Sequence, residues 1–322
     1  MKKILLLLAL FLASNAFAQT TTDSFSNEAV DSILQSYCHP DKPGLAVGIV
    51  KNGKVLYKNT AGIADLSNSI PITDSTVFNI ASVSKHFTAL VALMAEEEGK
   101  LSLDDDVRKY LPELQHLPQK ITIKQLANHS HGLPNFSEVV QLMGFTGQDP
   151  SSNTFAVETM LATRQVNFEP GTRFQYGNTG YMLLAEVLKR VYEKPFPRVV
   201  QEKLFQPLSM TQSAVIDDSR AVVKNKAQAY RWSGTAYVES ANRQMESGPS
   251  NVHTSLNDML KWLINFQNPK VGGQVNQLAT KTIALVEDGG VDYGLGLFSE
   301  NYKGLNTVFH GGGTAGYRAY IL

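Results

Sequence analysis

Residues 82–99 read SVSKHFTALVALMAEEEG, and this stretch decides the fold of the 322-residue chain. Apolar residues recur every three or four positions after Lys85, which is the spacing of a helix with a buried face, and Gly99 suits the end of such a helix. Ser82 and Lys85 lie at positions i and i+3 and therefore share one helix face. The spacing predicts a serine and a lysine in contact at the start of a buried helix.

This pair of side chains has the chemistry of a nucleophile and its base. A serine hydroxyl is a weak nucleophile until a base takes its proton, and a lysine whose pKa is lowered by its surroundings can do so. The N–H groups at a helix start also favour negative charge that develops nearby. An S-x-x-K pattern alone is weak evidence, because both residue types are common where surface helices begin.

A second pattern, Tyr176-Gly177-Asn178, opens a predicted helix over residues 178–193. A tyrosine in a glycine-containing loop can project its hydroxyl into a cleft and transfer a proton. For that, its pKa near 10 must fall, or the proton must pass through Lys85. The alternative is that Tyr176 and Asn178 only cap the helix.

A third pattern, His310-Gly311-Gly312-Gly313, follows a strand-like run. Small residues let a substrate backbone approach the edge of a strand, where an unpaired N–H can donate to an oxyanion. The same HGGG string occurs in α/β-hydrolases, upstream of a G-x-S-x-G nucleophile motif. The sequence contains no G-x-S-x-G, which excludes that family.

In order and spacing, these three patterns resemble the serine β-lactamase and penicillin-binding protein superfamily, in its class C β-lactamase, DD-peptidase and esterase branch. The resemblance extends over about residues 30–322. Four longer segments carry it as well: LSLDDDVRKYLP (101–112), ITIKQLANHSHGLP (121–134), LFQPLSM (204–210) and SLNDMLKW (255–262).

The resemblance implies a role for each matching residue of the first two patterns. Ser82 is the expected acylated nucleophile, and Lys85 is the expected hydrogen-bonded activator. Tyr176 is expected to carry the proton from Ser82 to the leaving group and then to activate water. Asn178 is expected to bind a substrate amide or to hold Lys85. Gly177 stands where relatives usually carry serine, which weakens any role for a side chain there.

The resemblance also assigns the third pattern. His310 stands where many relatives carry lysine, and Gly312 stands at the glycine of the family motif. The expected oxyanion hole consists of the N–H groups of Ser82 and Gly313. No metal or other cofactor is implied, and an H-x-H pair at residues 129 and 131 falls in a loop that the family uses structurally.

Strand signals at both ends of the chain surround a long helical middle. Together with the resemblance, this predicts an α+β fold, in which an antiparallel sheet flanked by helices has an inserted, mainly helical domain. We assign residues 27–85 and 250–322 to the sheet part and residues 86–249 to the helical part. One sheet built from both ends of the chain is expected.

The sheet part begins with an amphipathic helix over residues 27–37 and a hairpin. The hairpin pairs an apolar run, residues 45–50, with residues 54–59 across Asn52-Gly53, a strong signal for a tight turn. The continuous apolar run predicts a strand buried on both faces.

The C-terminus departs from the family pattern. The chain stops nine residues after Gly313, whereas relatives continue with another strand and a helix. The expectation is therefore a C-terminally truncated, aggregation-prone member with an uncovered apolar strand at residues 316–322.

The N-terminus has the pattern of a signal peptide, residues 1–18. A basic start precedes ten apolar residues, 4–13, and Ala16-Phe17-Ala18 fits a cleavage site. Ten apolar residues are too few for a membrane span, which needs about 20. The sequence therefore predicts export to the periplasm or beyond the cell, with an N-terminal anchor as the alternative.

Composition narrows the range of partners. The chain has 29 basic and 29 acidic residues and no basic stripe, which argues against nucleic acid. The single cysteine, Cys38, excludes an internal disulfide. The expected partner is a small-molecule or peptide substrate, and the oligomeric state stays open.

These patterns predict an exported serine hydrolase that cleaves an ester, amide or peptide bond through a Ser82 acyl-enzyme. Histidine at position 310 has no fixed charge at neutral pH, whereas a lysine there favours a carboxylate-bearing substrate. An esterase, amidase or peptidase is therefore expected over an efficient β-lactamase. The alternatives are a non-turnover penicillin-binding or sensor module and an inactive truncated homologue.

Overall fold

The computed structural model describes residues 25–146, 149–273 and 292–322. The chain divides into two compact units. In its described part, the first unit contains only helix α1 (Asn27–Tyr37), which the amphipathic spacing predicts. The second unit, Cys38–Leu322, contains all the other described elements.

In these ranges, no helix combines the length and apolar character needed to cross a bilayer. The predicted signal peptide, residues 1–18, lies outside the described residues.

The predicted hairpin is confirmed. Strand β1 (Leu45–Lys51) pairs antiparallel with β2 (Lys54–Ala61). The turn places Asn52 at φ +53° and Gly53 at φ +71°, and a type I′ turn needs positive φ at both positions. Strand β1 is half-buried, so the expectation of burial on both faces is wrong. A short apolar run does not distinguish a strand covered on one face from one covered on both.

The helices of the second unit occupy mainly the middle of the chain. They are α2 (Lys85–Glu97), α3 (Ile123–Ala127), α4 (Phe136–Leu142), α5 (Asn153–Leu161), α6 (Thr179–Tyr192), α7 (Phe196–Val200) and α8 (Leu256–Gln267). Short 3-10 turns lie at Ala81–Ser84, Val107–Lys109 and Pro112–His116, and a π-turn lies at Gln201–Phe205. Helices α2 and α6 confirm the helices predicted over residues 82–99 and 178–193.

The remaining strands form four further groups. Strands β3 (Ile63–Asp65) and β4 (Ile70–Pro71) pair, as do β7 (Tyr230–Trp232) and β8 (Tyr237–Glu239). Strand β9 (Val252–Ser255) lies between β5 (Val77–Asn79) and β6 (Ala214–Val215). A four-stranded antiparallel sheet runs in the order β10 (Asp292–Tyr293), β11 (Phe298–Tyr302), β12 (Leu305–Thr314) and β13 (Tyr317–Ile321).

The α+β fold class with antiparallel sheets is confirmed, but the expectation of a single sheet is wrong for the described residues. Among these, no strand pairing joins the β1–β2 hairpin to the β10–β13 sheet. The hairpin packs on α8 instead, where a Cβ at Gly48 would lie 2.7 Å from Leu260 Cδ2. Distant parts of the chain do pair elsewhere, since Val77 of β5 lies opposite Ser255 of β9.

Helix α2 lies in the main core, and its residues from Lys85 to Leu93 are all buried. Phe87 packs against Trp262 of α8, with ring centroids 4.5 Å apart, and against Phe205 at 5.6 Å. Because both sides of α2 are enclosed, the turn that precedes it has a fixed position. That turn carries Ser82.

Candidate active site

The turn at Ser82 is hydrogen-bonded to strand β9 on both of its sides. The Ile80 N–H donates to the Val252 carbonyl at 3.0 Å, and the Val252 N–H donates to Ser84 Oγ at 3.0 Å. Ala81, directly before Ser82, has φ +47°, a conformation that is unfavourable for a residue with a Cβ. Ser82 therefore sits on a strained turn that its surroundings keep in place.

Lys85 joins three parts of the chain. Its Nζ lies 3.1 Å from Ser82 Oγ, and it donates to Asn178 Oδ1 at 3.0 Å and to the Pro249 carbonyl at 3.1 Å, which leaves the lone pair of the neutral amine for the serine hydroxyl. The side chain is completely buried. This burial lowers the pKa of Lys85 to about 7, because an ammonium loses its hydration there. A large fraction of the lysine is consequently a neutral amine at neutral pH.

Tyr176 lies on the other side of Ser82. Lys85 Nζ lies 4.9 Å from its ring centroid, and the Ser82 side chain is near enough to affect its pKa. Tyr176 is 37% exposed, but the part of its ring that lies inside the site loses hydration, which raises its pKa to about 12, and the Ser82 side chain lowers that pKa in part. A fall in this pKa, one of the two expected routes, is therefore not found. Of the two expected routes, this raised pKa favours the one in which the proton passes through Lys85.

Asn178 does not act as a side-chain helix cap. It occupies the N-cap position of α6 but makes no side-chain cap hydrogen bond, since its Oδ1 accepts from Lys85. Its own N–H donates to Asn135 Oδ1 at 3.2 Å. A Cβ at Gly177 would lie 3.2 Å from the same Asn135 oxygen. Asn135 thus fills the space beside the glycine, and the sequence reasoning did not find it.

His310 is buried on β12, and its ring lies near the rings of Tyr176 and Tyr293. Its Nδ1–H donates to the Gly311 carbonyl at 2.6 Å, and its Nε2 lies 3.4 Å from the Tyr293 hydroxyl. Its ring centroid is 5.9 Å from that of Tyr176. Burial, followed by the charge of Lys85, lowers the pKa of His310 to about 4. The imidazole is therefore neutral at neutral pH.

The two glycines assigned to the site have different surroundings. A Cβ at Gly312 would lie 2.3 Å from the Ile80 carbonyl oxygen and 3.2 Å from Ser82 N, so a side chain there would displace the strand. A Cβ at Gly313 would meet its nearest atom, Arg318 Nη1, at an ordinary 3.5 Å. Strand β12 thus contacts the Ser82 turn at Gly312, and Gly313 is the next residue along this strand.

The two histidines of the H-x-H pair make structural hydrogen bonds. His129 Nδ1 accepts from the Gly177 N–H at 3.4 Å, and its ring packs 4.5 Å from that of Tyr176. His131 Nδ1 accepts from the Leu133 N–H at 2.9 Å. Both rings are buried. In the part of the chain that the structure describes, no group of three or more His, Cys, Asp or Glu side chains is placed to hold a metal ion.

Known proteins resemble this chain in sequence. It is 25% identical over 302 residues to a D-aminopeptidase from Gluconobacter oxydans, covering 94% of this chain and 57% of the relative. It is 29% identical over 308 residues to the protein flp of Staphylococcus aureus, covering 92% of this chain and 60% of the relative. The chain thus spans less than two thirds of the length of these relatives.

The fold resembles a solved structure, that of the octameric penicillin-binding protein homologue from Pyrococcus abyssi. The TM-score is 0.79 at 26% identity, covering 91% of this chain and 69% of that one. The family model described as Beta-lactamase matches residues 30–322, which is most of the sequence. The chain therefore belongs to the Beta-lactamase family, within the superfamily of serine β-lactamases and penicillin-binding proteins.

Proposed function

We propose that the chain is a serine hydrolase that cleaves an ester, amide or peptide bond through an acyl-enzyme on Ser82. The observation that carries this proposal is the completely buried Lys85 amine, 3.1 Å from Ser82 Oγ. Burial favours the neutral form of a lysine, and a neutral amine can accept the proton of a serine hydroxyl.

The acylation step follows from these contacts. As Ser82 Oγ attacks the substrate carbonyl carbon, its proton passes to Lys85 Nζ and the carbonyl electron pair moves to oxygen. The backbone N–H groups of Ser82 and Gly313 are the proposed donors to this oxyanion. When the intermediate collapses, the leaving group takes a proton from the Tyr176 hydroxyl, and the Lys85 ammonium returns a proton to Tyr176.

Deacylation uses the same groups in reverse. Water attacks the acyl carbonyl and gives a proton, through Tyr176, to Lys85. Collapse then breaks the ester bond, and Ser82 Oγ recovers its proton from Lys85. Because the pKa of Tyr176 is raised, the tyrosine acts as a neutral hydroxyl that relays protons, and Lys85 is the base.

Asn178 combines the two roles that the resemblance offered. Its Oδ1 is occupied by Lys85 and orients the amine toward Ser82. Its amide nitrogen is the proposed donor to a substrate carbonyl on the acyl side. The Pro249 carbonyl also accepts a hydrogen bond from this lysine and helps to hold it in place.

The proposed substrates are esters and amides without an obligatory carboxylate, D-amino acid amides among them. A neutral His310 supplies no fixed charge for a carboxylate, and one similar protein is a D-aminopeptidase. A panel of p-nitrophenyl esters, D- and L-amino acid p-nitroanilides, D-Ala-D-Ala peptides and a chromogenic cephalosporin tests this class. Faster turnover of the cephalosporin than of every neutral substrate would contradict it.

The nucleophile is tested by covalent labelling. A fluorescent phosphonate should label Ser82, and Ser82→Ala should abolish labelling while its circular dichroism and melting temperature stay close to wild type. Peptide mass spectrometry then maps the label. Labelling that survives in Ser82→Ala, or that maps to Ser84, overturns the proposal. Product released beyond one equivalent per chain separates turnover from stoichiometric acylation by a penicillin-binding module.

We also propose that the protein is exported after cleavage between Ala18 and Gln19, leaving it in the periplasm or outside the cell. The support is the basic start, the apolar run 4–13 and the small residues before Gln19. N-terminal sequencing of the protein from fractionated cells should begin at Gln19. Recovery of intact Met1 chains from the cytosol would contradict export.

A further inference from the structure

Asn79, three residues before Ser82, uses both ends of its side-chain amide. Its Oδ1 accepts from the Ala81 N–H at 2.8 Å, and its Nδ2 donates to Asn251 Oδ1 at 3.0 Å. Both asparagines are completely buried. The contact joins parts of the chain that are 172 residues apart, and it ends at the residue that precedes the nucleophile.

Asn251 is the centre of this network. Its Oδ1 accepts a second hydrogen bond, from Asn242 Nδ2 at 3.0 Å. Its Nδ2 donates to the Gln244 carbonyl at 3.0 Å and to the Glu246 carbonyl at 3.3 Å. The hydrogen-bonding capacity of the side-chain amide is thus fully used. Its backbone has φ +69°, a conformation that asparagine adopts more readily than most residues.

The turn that contains Asn251 contacts Lys85 directly and is linked through Asn79 to Ala81, the residue before Ser82. On one side, the Asn251 side chain reaches Ala81 through Asn79. On the other side, the Pro249 carbonyl accepts from Lys85 Nζ. One short segment therefore touches the supports of the nucleophile and of its base.

This network contacts Ala81, whose backbone conformation is strained. A non-glycine residue at positive φ is strained and persists only where its surroundings over-determine it. Here the Ala81 N–H bonds to Asn79, and the preceding Ile80 N–H bonds to Val252. The dihedral angles of Ala81 determine the position of the next residue, Ser82. The Asn79 contact therefore helps to place Ser82 relative to Lys85.

We propose that Asn251 and Asn79 form a positioning pair that fixes Ser82 at hydrogen-bonding distance from Lys85. The proposal rests on the acyl-enzyme function proposed above. Neither side chain is a group that reacts, and the pair acts through Ala81 and through the turn at Pro249. A displacement of about 1 Å at a reacting group can slow a reaction by about 10²-fold, so loss of the pair slows acylation and leaves substrate binding nearly unchanged.

The test uses Asn251→Gly. Glycine adopts positive φ without strain, so the backbone of the turn is kept while the four side-chain hydrogen bonds are lost. The matched control is Asn265→Ala in α8, which also removes a buried amide. Asn265 Oδ1 accepts from the N–H groups of Lys270 and Val271, and its Nδ2 donates to the Val271 carbonyl. None of these contacts involves the Ser82 turn.

The measurement is the single-turnover rate at which a fluorescent phosphonate phosphonylates Ser82, a step that needs the same activation of Ser82 Oγ as acylation, over a range of probe concentrations. Asn251→Gly should lower the saturating rate by about 10-fold or more and shift the half-saturating concentration by less than about twofold. Asn265→Ala should lower the melting temperature but keep the rate of the folded fraction. Asn251→Asp keeps the oxygen that accepts from Asn79 and Asn242, and it should retain more of the rate than Asn251→Gly.

Three results overturn the inference: a saturating rate in Asn251→Gly within twofold of wild type, an equal fall in Asn265→Ala, or a change confined to half-saturation. If Asn251→Gly does not fold, Asn79→Asp tests the same link, because it keeps the acceptor for Ala81 and loses the donor to Asn251. The same fall in saturating rate is expected, and an unchanged rate overturns the proposal. A wild-type protein that never labels at Ser82 refutes the acyl-enzyme itself, which is a distinguishable outcome.

Discussion

Two elements meet at Ser82, the turn that carries it and strand β12, and different kinds of contact keep them in place. The Ser82 turn is anchored by hydrogen bonds with Val252 and, through Asn79, with Asn251. Lys85 Nζ has hydrogen-bond partners in Ser82, Asn178 and Pro249. Strand β12 reaches the same turn through close packing, because Gly312 leaves no side chain between it and the Ile80 carbonyl. Substitutions around Ser82 and Lys85 should slow proton transfer, and substitutions in β12 should misplace the substrate carbonyl.

The largest effect is expected from removing the proton-transfer groups around Ser82. Lys85→Ala and Tyr176→Phe should each lower the acylation rate by about 10²-fold or more, as loss of a general base does. The two residues serve one proton path through Ser82, so the double variant should be little slower than either single one. Stopped-flow labelling of all three variants measures this.

Melting temperatures of the three variants serve as the control for folding. Multiplicative losses in the double variant would mean that Lys85 and Tyr176 act independently, and the relay through Tyr176 would then be wrong.

The next effect concerns pH and again depends on Lys85. Only the neutral amine accepts a proton, and burial lowers the pKa of Lys85 to about 7. The acylation rate should therefore rise with pH through about 7 and then level off, falling about tenfold per pH unit below it. His310, with a pKa of about 4, and Tyr176, at about 12, titrate outside this window.

The free energy of unfolding should also rise with pH. Between about pH 7 and pH 10.5 the unfolded chain binds a proton at Lys85 that the folded chain does not, so this residue makes stability rise with pH across that window. Acylation rates and melting temperatures from pH 5.5 to 9 measure both trends. A flat acylation profile would contradict Lys85 as the base.

A smaller effect is expected in β12, where a matched pair of substitutions exists. Gly312→Ala should lower the rate by about 10-fold, since its Cβ would lie 2.3 Å from the Ile80 oxygen and the strand must shift. Gly313→Ala meets nothing closer than 3.5 Å and should change the rate by less than about threefold. Equal effects of the two substitutions would show that β12 is not held against the turn at Gly312.

The comparison also shows what sequence can and cannot predict. The contact between Ser82 and Lys85 follows from helix geometry, because residues three apart share a face. The hairpin at Asn52-Gly53 is likewise a local matter of backbone conformation. Such features depend on neighbours in the chain, and both were predictable.

The supports of the site were not predictable. The side chain of Pro249 has no polar group, and its backbone carbonyl accepts a hydrogen bond from Lys85, which is 164 residues away in the sequence. Asn79 and Asn251 are 172 residues apart, and neither belongs to a motif. The one available signal was an asparagine after Gly248-Pro249, a composition typical of turns with positive φ. A single sequence does not reveal which distant backbone groups such a turn meets.

The smallest effect is expected at His310 on β12, whose ring centroid is 5.9 Å from that of Tyr176. His310→Lys introduces an amine into a place that is now neutral, and burial beside Lys85 will itself lower the pKa of the new lysine. Only part of the new side chain will therefore be charged. The ratio of kcat/KM for a carboxylate-bearing substrate to that for its neutral ester should rise by a few-fold, about what one partly screened ion pair contributes. The matched control is His310→Gln, which keeps a neutral hydrogen-bonding group and should leave the ratio within twofold of wild type. Because the ratio compares two substrates on one protein, a general loss of activity cancels. An unchanged ratio in His310→Lys, with acylation still measurable, would mean that position 310 does not face the substrate's charged end.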